Sequence, residues 1–129
     1  MTIEATWRAD SGSSVCDLAN GHARWQADLD APMGNPEIPN PHDLLDSALA
    51  ACTTLTVQIY AKRKGYAVEG VRVTVKHEET PGSYKLVRTV ELQGDLPSDV
   101  REDLLRVANK CPVHKALSAT ITIETTLEG

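Results

Sequence analysis

The chain has 129 residues, 41% hydrophobic and 24% charged, which is typical of one globular domain and excludes a disordered chain. The formal net charge of -5 and the lack of a basic run argue against nucleic acid or an anionic membrane surface as a partner. No apolar stretch is long enough to predict a membrane span and the N-terminus has no secretion-signal pattern, so we expect a cytoplasmic protein.

Alternating apolar and polar residues predict three short strands at the start of the chain. The first covers residues 3–9, and the next two cover residues 15–18 and 23–28. Asn20-Gly21 lies between the second and third strands and is a strong signal for a two-residue hairpin turn. We therefore expect a three-stranded antiparallel meander.

A long helix is predicted after an irregular, proline-rich loop over residues 31–41, which is a candidate cover for an active site. Asn40 can cap the helix, Pro41 suits its first position, and Gly65 ends it. Some 24 residues at 1.5 Å rise give about 36 Å, more than one small sheet needs. Because its centre also has few charges, we infer that the helix is buried partly against another chain.

A hairpin is predicted next, with strands over residues 71–76 and 84–92 joined by a turn at Pro81-Gly82. Arg88 interrupts the apolar face of the second strand. It is either a site residue or an edge residue that reaches for solvent, and the edge role is more common in general.

The remaining elements are a helix after Ser98, a short turn from Pro112, and a last strand over residues 119–127. The predicted class is α+β, with an antiparallel sheet, a long central helix and one domain over residues 1–129.

Two of the three cysteines have unusual settings. Cys52 lies mid-helix in an apolar run, and Cys111 comes directly before Pro112, where it can act as the N-cap of a helical turn. Such thiols could face each other across a small core and undergo reversible oxidation. Cys16 lies in an ordinary strand. An odd number of cysteines fits no disulfide framework, so a reducing compartment is expected.

Two segments carry a family resemblance: residues 40–53, NPHDLLDSALAACT, and residues 111–117, CPVHKAL. Together they resemble the OsmC/Ohr family of osmotically induced and organic hydroperoxide resistance proteins. The resemblance extends from about Asn20 to the C-terminus. It implies an intertwined α+β homodimer with its sites at the interface.

The resemblance also implies a function, namely thiol-dependent reduction of peroxides by a cysteine-based peroxidase. Small organic hydroperoxides would be the preferred substrates, and hydrogen peroxide is a further candidate. Cys52 would be the peroxidatic cysteine and Cys111 the resolving one. An external dithiol or other thiol reductant is expected, with no cofactor and no metal.

The residues that would support Cys52 are less well defined. A peroxide-reducing cysteine must be a thiolate, and burial disfavours the thiolate, so a cation or a hydrogen-bond donor is needed. Arg24, His42 and Arg88 are candidates. The hydroperoxide reductases usually have a glutamate where this chain has His42, and Asp43 follows it.

Sequence physics and family pattern disagree on the more reactive thiol. A helix N-terminus favours the thiolate, which points to Cys111. The family pattern points to Cys52, and we follow it. An inert core residue is the alternative reading for Cys52.

Other functions stay open. Cys111 and His114 have a Cys-x-x-His spacing that can hold zinc, with Cys52 and His42 as further ligands, but no second closely spaced pair supports it. The alternative to a peroxidase is a non-catalytic dimer that senses redox state or binds a small ligand.

Overall fold

The computed structural model of the protein describes residues 2–129. Its contacts divide the chain into two compact units, Met1–Leu45 and Asp46–Gly129, which are described in turn. Three helices and two antiparallel sheets confirm the predicted α+β class. The expectation of one domain over residues 1–129 stays a prediction.

The first unit contains a three-stranded antiparallel sheet in the order β1-β2-β3. Its strands are β1, Glu4–Thr6, β2, Cys16–Ala19, and β3, Arg24–Ala27. The predicted meander is confirmed, but β1 is shorter than the alternation indicated, because residues 9–11 form a 3-10 turn.

The β2–β3 turn has the predicted chemistry. The Asn20 side-chain oxygen accepts from the backbone N–H groups of His22 and Ala23, at 2.9 and 2.7 Å. Gly21 has a φ of 95°, which glycine adopts without the steric cost that a Cβ would bring.

One carboxylate orders the proline-rich loop that follows. Asp28 is nearly buried and accepts from the N–H groups of Asn35 and Leu29, both at 2.8 Å, and from the Ser14 hydroxyl at 2.5 Å. The Asn35 N–H, then the Ser14 hydroxyl, then the Leu29 N–H lower the pKa of this carboxyl below its ordinary value. The loop is therefore irregular but fixed, as its composition predicts.

Helix α1, Pro41–Lys64, has the predicted ends. Asn40 Oδ1 accepts from the Asp43 N–H at 2.8 Å, and Asp43 Oδ2 accepts from the Asn40 N–H at 3.1 Å. This reciprocal pair satisfies two donors that the first turn would otherwise leave unpaired. Gly65, with a φ of 72°, ends the helix.

The core of the second unit lies between α1 and α2, Ser98–Ala108. Val57 and Ala61 of α1 pack with Leu104 and Ala108 of α2. Helix α1 is long and apolar enough to cross a membrane, with a mean hydropathy of 1.2 over an 18-residue window. This differs from the expectation that no stretch reaches that length, but length and composition alone do not establish a membrane span.

A long hairpin of β4, Gly70–Thr80, and β5, Ser83–Gln93, completes the sheet structure of this unit. Its antiparallel register runs from Gly70 opposite Gln93 to Thr80 opposite Ser83. Arg88 lies opposite Val75 and is half-buried. The predicted hairpin is confirmed.

The predicted last strand is wrong for the single chain. After α3, Pro112–Ser118, residues 120–129 form neither helix nor strand. Ile121, Ile123 and Leu127 are 63%, 86% and 96% exposed. Alternation marks a segment suited to a sheet, but a strand also needs a neighbouring edge, and this segment pairs with none among residues 2–129.

We expect the core between α1 and α2 to dominate stability. Leu104→Ala should lower the free energy of unfolding by about 2–5 kcal/mol, because it leaves a cavity at a fully buried position. Urea unfolding measures the change. Leu105→Ala is the matched control: Leu105 is 57% exposed, so its truncation should change stability by only about 0.5 kcal/mol. Equal losses in the two variants would contradict this description of the core.

Candidate redox site

Cys52 and Cys111 converge at the start of α3. The Val113 N–H donates to Cys52 Sγ at 3.5 Å, and the His114 N–H donates to Cys111 Sγ at 3.3 Å. Both cysteines are free thiols. A residue from the middle of α1 and a residue 59 positions later are thus held by adjacent backbone groups.

The local sequence explains the position of Cys111. Helix α2 ends at Ala108, and the Lys110 N–H returns to the Val107 carbonyl at 2.9 Å. Cys111 is extended, with φ −63° and ψ 143°, and Pro112 begins α3. The predicted N-cap role of Cys111 is confirmed.

Arg88 is the cation of this cluster. Its Nη1 donates to Thr53 Oγ1 at 3.0 Å and lies 4.0 Å from Cys111 Sγ. Its Nη2 donates to Asn109 Oδ1 at 2.7 Å and to His114 Nδ1 at 3.1 Å. Arg88 is therefore not an edge residue reaching for solvent: it joins β5 to residues of α1, α3 and the end of α2.

The contact with Arg88 defines the hydrogen-bonding role of His114 Nδ1. A guanidinium only donates hydrogen bonds, so His114 Nδ1 is the acceptor in this contact.

Cys111 is fully buried, and its surroundings favour the thiolate. Burial raises the pKa of the Cys111 thiol. The His114 N–H and the Thr53 hydroxyl lower that pKa, and the Cys52 thiol and the Arg88 guanidinium lower it further. Together these groups outweigh burial, so the pKa of Cys111 lies below its ordinary value.

Cys52 is placed differently, since it is half-exposed and lines a groove of about 770 Å³. The lining is mostly apolar on the α1 side, where Ala48, Leu55 and Ile59 lie, and is bordered by α2 and the start of α3. A small molecule in this groove can therefore reach Cys52 and not Cys111.

Three of the predicted supporting residues lie in the first unit. Arg24 is exposed on β3, while His42 and Asp43 lie in the first turn of α1. Asp43 has a structural role in the helix cap. The roles of these three residues at the thiols stay predictions.

Sequence reasoning gave no role at the thiols to Thr53 or Asn109, and considered His114 there only as a possible zinc ligand. Because Thr53 directly follows Cys52, the sequence could have indicated that Thr53 lies near the thiols. The position of Asn109 depends on how α2 ends, which the sequence does not show. His114 Nδ1 accepts from Arg88, and within residues 2–129 no three His, Cys, Asp or Glu side chains are grouped as a metal site. The expectation of no metal stays a prediction.

Comparison with known proteins identifies the family. The family model described as OsmC-like protein matches residues 34–126. This match covers most of the chain and includes both Cys52 and Cys111, so the chain belongs to the OsmC-like family. No curated protein sequence matches it significantly.

Solved structures share the fold. An osmotic stress induced and detoxification response protein of Psychrobacter arcticus has a TM-score of 0.75 at 19% identity, over 90% of this chain and 87% of that chain. OsmC, an organic hydroperoxide resistance protein of Legionella pneumophila, has a TM-score of 0.62 at 22% identity, over 91% and 88%. OhrB, the organic hydroperoxide resistance protein of Bacillus subtilis, has a TM-score of 0.60 at 19% identity, over 91% and 89%. The predicted OsmC-like fold is thus confirmed.

We expect the Cys111 thiol to ionise at a lower pH than an ordinary cysteine thiol. Thiolate absorbance near 240 nm should rise below the usual thiol range, and Cys111→Ser should remove that rise. Cys16→Ser, at the unrelated thiol of β2, is the control and should keep it. A low-pH rise that persists in Cys111→Ser would contradict the assignment.

Proposed function

We propose that this protein is a thiol-dependent peroxidase that reduces organic hydroperoxides through Cys52 and Cys111. The observation that carries the proposal is the joint position of the two thiols: one lines an open apolar groove, the other is buried beside a cation, and adjacent backbone N–H groups hold both. The organic hydroperoxide resistance proteins among the structural relatives support the same reading.

The accessibility and the acidity of the two thiols suggest which is the peroxidatic and which the resolving cysteine. A peroxide must reach the sulfur that it oxidises, which selects Cys52. A resolving cysteine attacks from within the protein, so the buried and acidified Cys111 suits that step. In this proposal the helix-end argument for Cys111 and the family pattern for Cys52 concern different steps of one cycle.

The proposed cycle needs no metal or cofactor. The Cys52 thiolate attacks one peroxide oxygen, the O–O bond breaks, and the alcohol leaves after taking up a proton. Cys52 is now a sulfenic acid. The Cys111 thiolate attacks its sulfur, and the displaced hydroxide leaves as water once protonated. A dithiol then reduces the disulfide, as expected for a reducing cytoplasm.

We also propose that the working form is a homodimer. The resemblance to the OsmC/Ohr family implies a homodimer, and a single chain leaves Leu55 and Ile59 of α1 exposed beside the groove. The C-terminal residues Ile121 and Ile123 alternate as a strand does but have no neighbouring strand among residues 2–129. A second copy would cover these residues and convert the groove beside Cys52 into an enclosed apolar site.

Variants of the two thiols test the cycle. Cys52→Ser should abolish turnover of cumene hydroperoxide with a dithiol, because no sulfur that the peroxide can reach remains. Cys111→Ser should permit one oxidation and then stall, since the sulfenic acid cannot be resolved. Peroxide consumption and intact mass measure both outcomes.

Cys16→Ser is the control and should keep full turnover. In the wild type, stoichiometric peroxide should remove the mass of two hydrogen atoms, mapped to a Cys52–Cys111 disulfide. Undiminished turnover in Cys52→Ser would refute the cycle. Two unreacted thiols in the wild type would instead favour a ligand-binding dimer.

The dimer proposal predicts the effect of a charge on α1. Ile59→Glu should shift the protein from dimer to monomer in analytical ultracentrifugation, because it would bury a carboxylate at the contact between copies. Leu105→Glu adds the same charge at an exposed α2 residue outside the groove lining and should leave the dimer intact. A wild type that sediments as a monomer at all concentrations would exclude the dimer.

A further inference from the structure

We propose that the reductant attacks Cys52 of the oxidised protein and that Cys111 departs as a thiolate beside Arg88, which acts as a positioning residue for this step. The inference rests on the proposed Cys52–Cys111 disulfide. It assigns the attacked sulfur, the leaving sulfur and the function of a basic residue on β5.

Accessibility from the groove determines which sulfur of the disulfide the reductant attacks. Thiol–disulfide exchange requires the incoming sulfur to approach one sulfur of the disulfide, and the sulfur that can be reached is attacked. Cys52 lines the groove, whereas Cys111 is fully buried beneath Thr53 and Arg88. A dithiol in the groove therefore meets Cys52 first.

The groups around Cys111 favour its departure. Exchange is faster when the leaving thiol is more acidic. Arg88 Nη1 lies 4.0 Å from Cys111 Sγ, and the His114 N–H donates to the same sulfur at 3.3 Å. The Thr53 hydroxyl lies 3.6 Å from that sulfur and 2.8 Å from the Leu49 carbonyl, so its one hydrogen can serve either acceptor.

Arg88 is held in place from its other side. Its Nη2 donates to Asn109 Oδ1 and to His114 Nδ1, which leaves Nη1 directed at Thr53 and Cys111. A guanidinium with both Nη atoms hydrogen-bonded loses little further side-chain freedom when a negative charge develops beside it. The positive charge is thus in position before the disulfide opens.

Reduction of the disulfide takes two successive thiol–disulfide exchanges. The thiolate of a dithiol forms a bond to Cys52 Sγ, the Cys52–Cys111 bond breaks, and its electron pair passes to Cys111 Sγ. The second thiol of the reductant loses its proton and attacks the reductant's other sulfur, which is bonded to Cys52 in the mixed disulfide. Cys52 leaves with the electron pair and takes up a proton, and the reductant becomes a cyclic disulfide.

A trapping experiment on the wild type tests the direction of attack. The disulfide is formed with diamide, so that it does not depend on peroxide, and is treated with 2-mercaptoethanol. The reaction is quenched in acid, alkylated with N-ethylmaleimide, and mapped by peptide mass. We expect the mixed disulfide on Cys52 and the alkyl group on Cys111. The reverse pattern would overturn the proposal.

Substitution of Arg88 tests the leaving-group role. Reduction of the diamide-oxidised Arg88→Gln variant by dithiothreitol should be at least about tenfold slower, since a charge-assisted contact is lost. Its dithiol–disulfide equilibrium should shift toward the disulfide, because the reduced form has lost stabilisation. Arg88→Lys should recover part of the rate, as it keeps the charge but not the fork.

Arg72→Gln removes an exposed arginine of β4 in the same hairpin and should leave both rate and equilibrium unchanged. If Arg88→Gln does not fold, Thr53→Val tests the positioning of Arg88, because it removes the hydroxyl that accepts from Nη1 beside Cys111. Wild-type reduction rates in a folded variant would overturn the proposal. Failure of peroxide to form the disulfide would instead overturn the proposed function, and the diamide experiment separates the two results.

Discussion

The two-sided hydrogen bonding of the Arg88 guanidinium is the interaction on which the candidate redox site depends. It joins a strand residue to a helix hydroxyl, to the residue after α2, and to the first turn of α3. Four separate parts of the chain must be folded before these contacts exist. An arginine on the half-buried face of a hairpin would be costly without partners, and here each contact offsets its burial while placing a positive charge near Cys111.

The same contacts show how one small site can contain two thiols with different properties. Burial alone would make Cys111 a poor thiolate, and access alone would make Cys52 the only useful sulfur. Local donors reverse the first effect without exposing the sulfur. Acidity and accessibility are therefore carried by different residues, which suits a reaction whose steps need a reachable sulfur and an internal nucleophile at different moments.

The sequence predicted the elements well where the signal is local. The Asn20-Gly21 turn, the Asn40 cap and the Pro112 start each depend on neighbouring residues, and all three are found. The cysteine pair followed from a two-part motif. The partners of Arg88 could not be predicted, since Thr53 and Asn109 are 35 and 21 residues away and meet it only through the packing of helices on the hairpin.

The strand predicted over residues 119–127 is missing for a similar physical reason, since a strand also depends on a partner outside its own segment. Alternation in residues 119–127 reports that one face of the segment is suited to burial, but it does not say which chain supplies the neighbouring edge. Within the described chain the segment is exposed, as are Leu55 and Ile59 of α1. Apolar side chains exposed in two segments that are far apart in the sequence, one of them beside Cys52, are costly in water. A second copy that covers both would stabilise the fold and close the redox site by the same contacts, so that assembly and chemistry would depend on one surface.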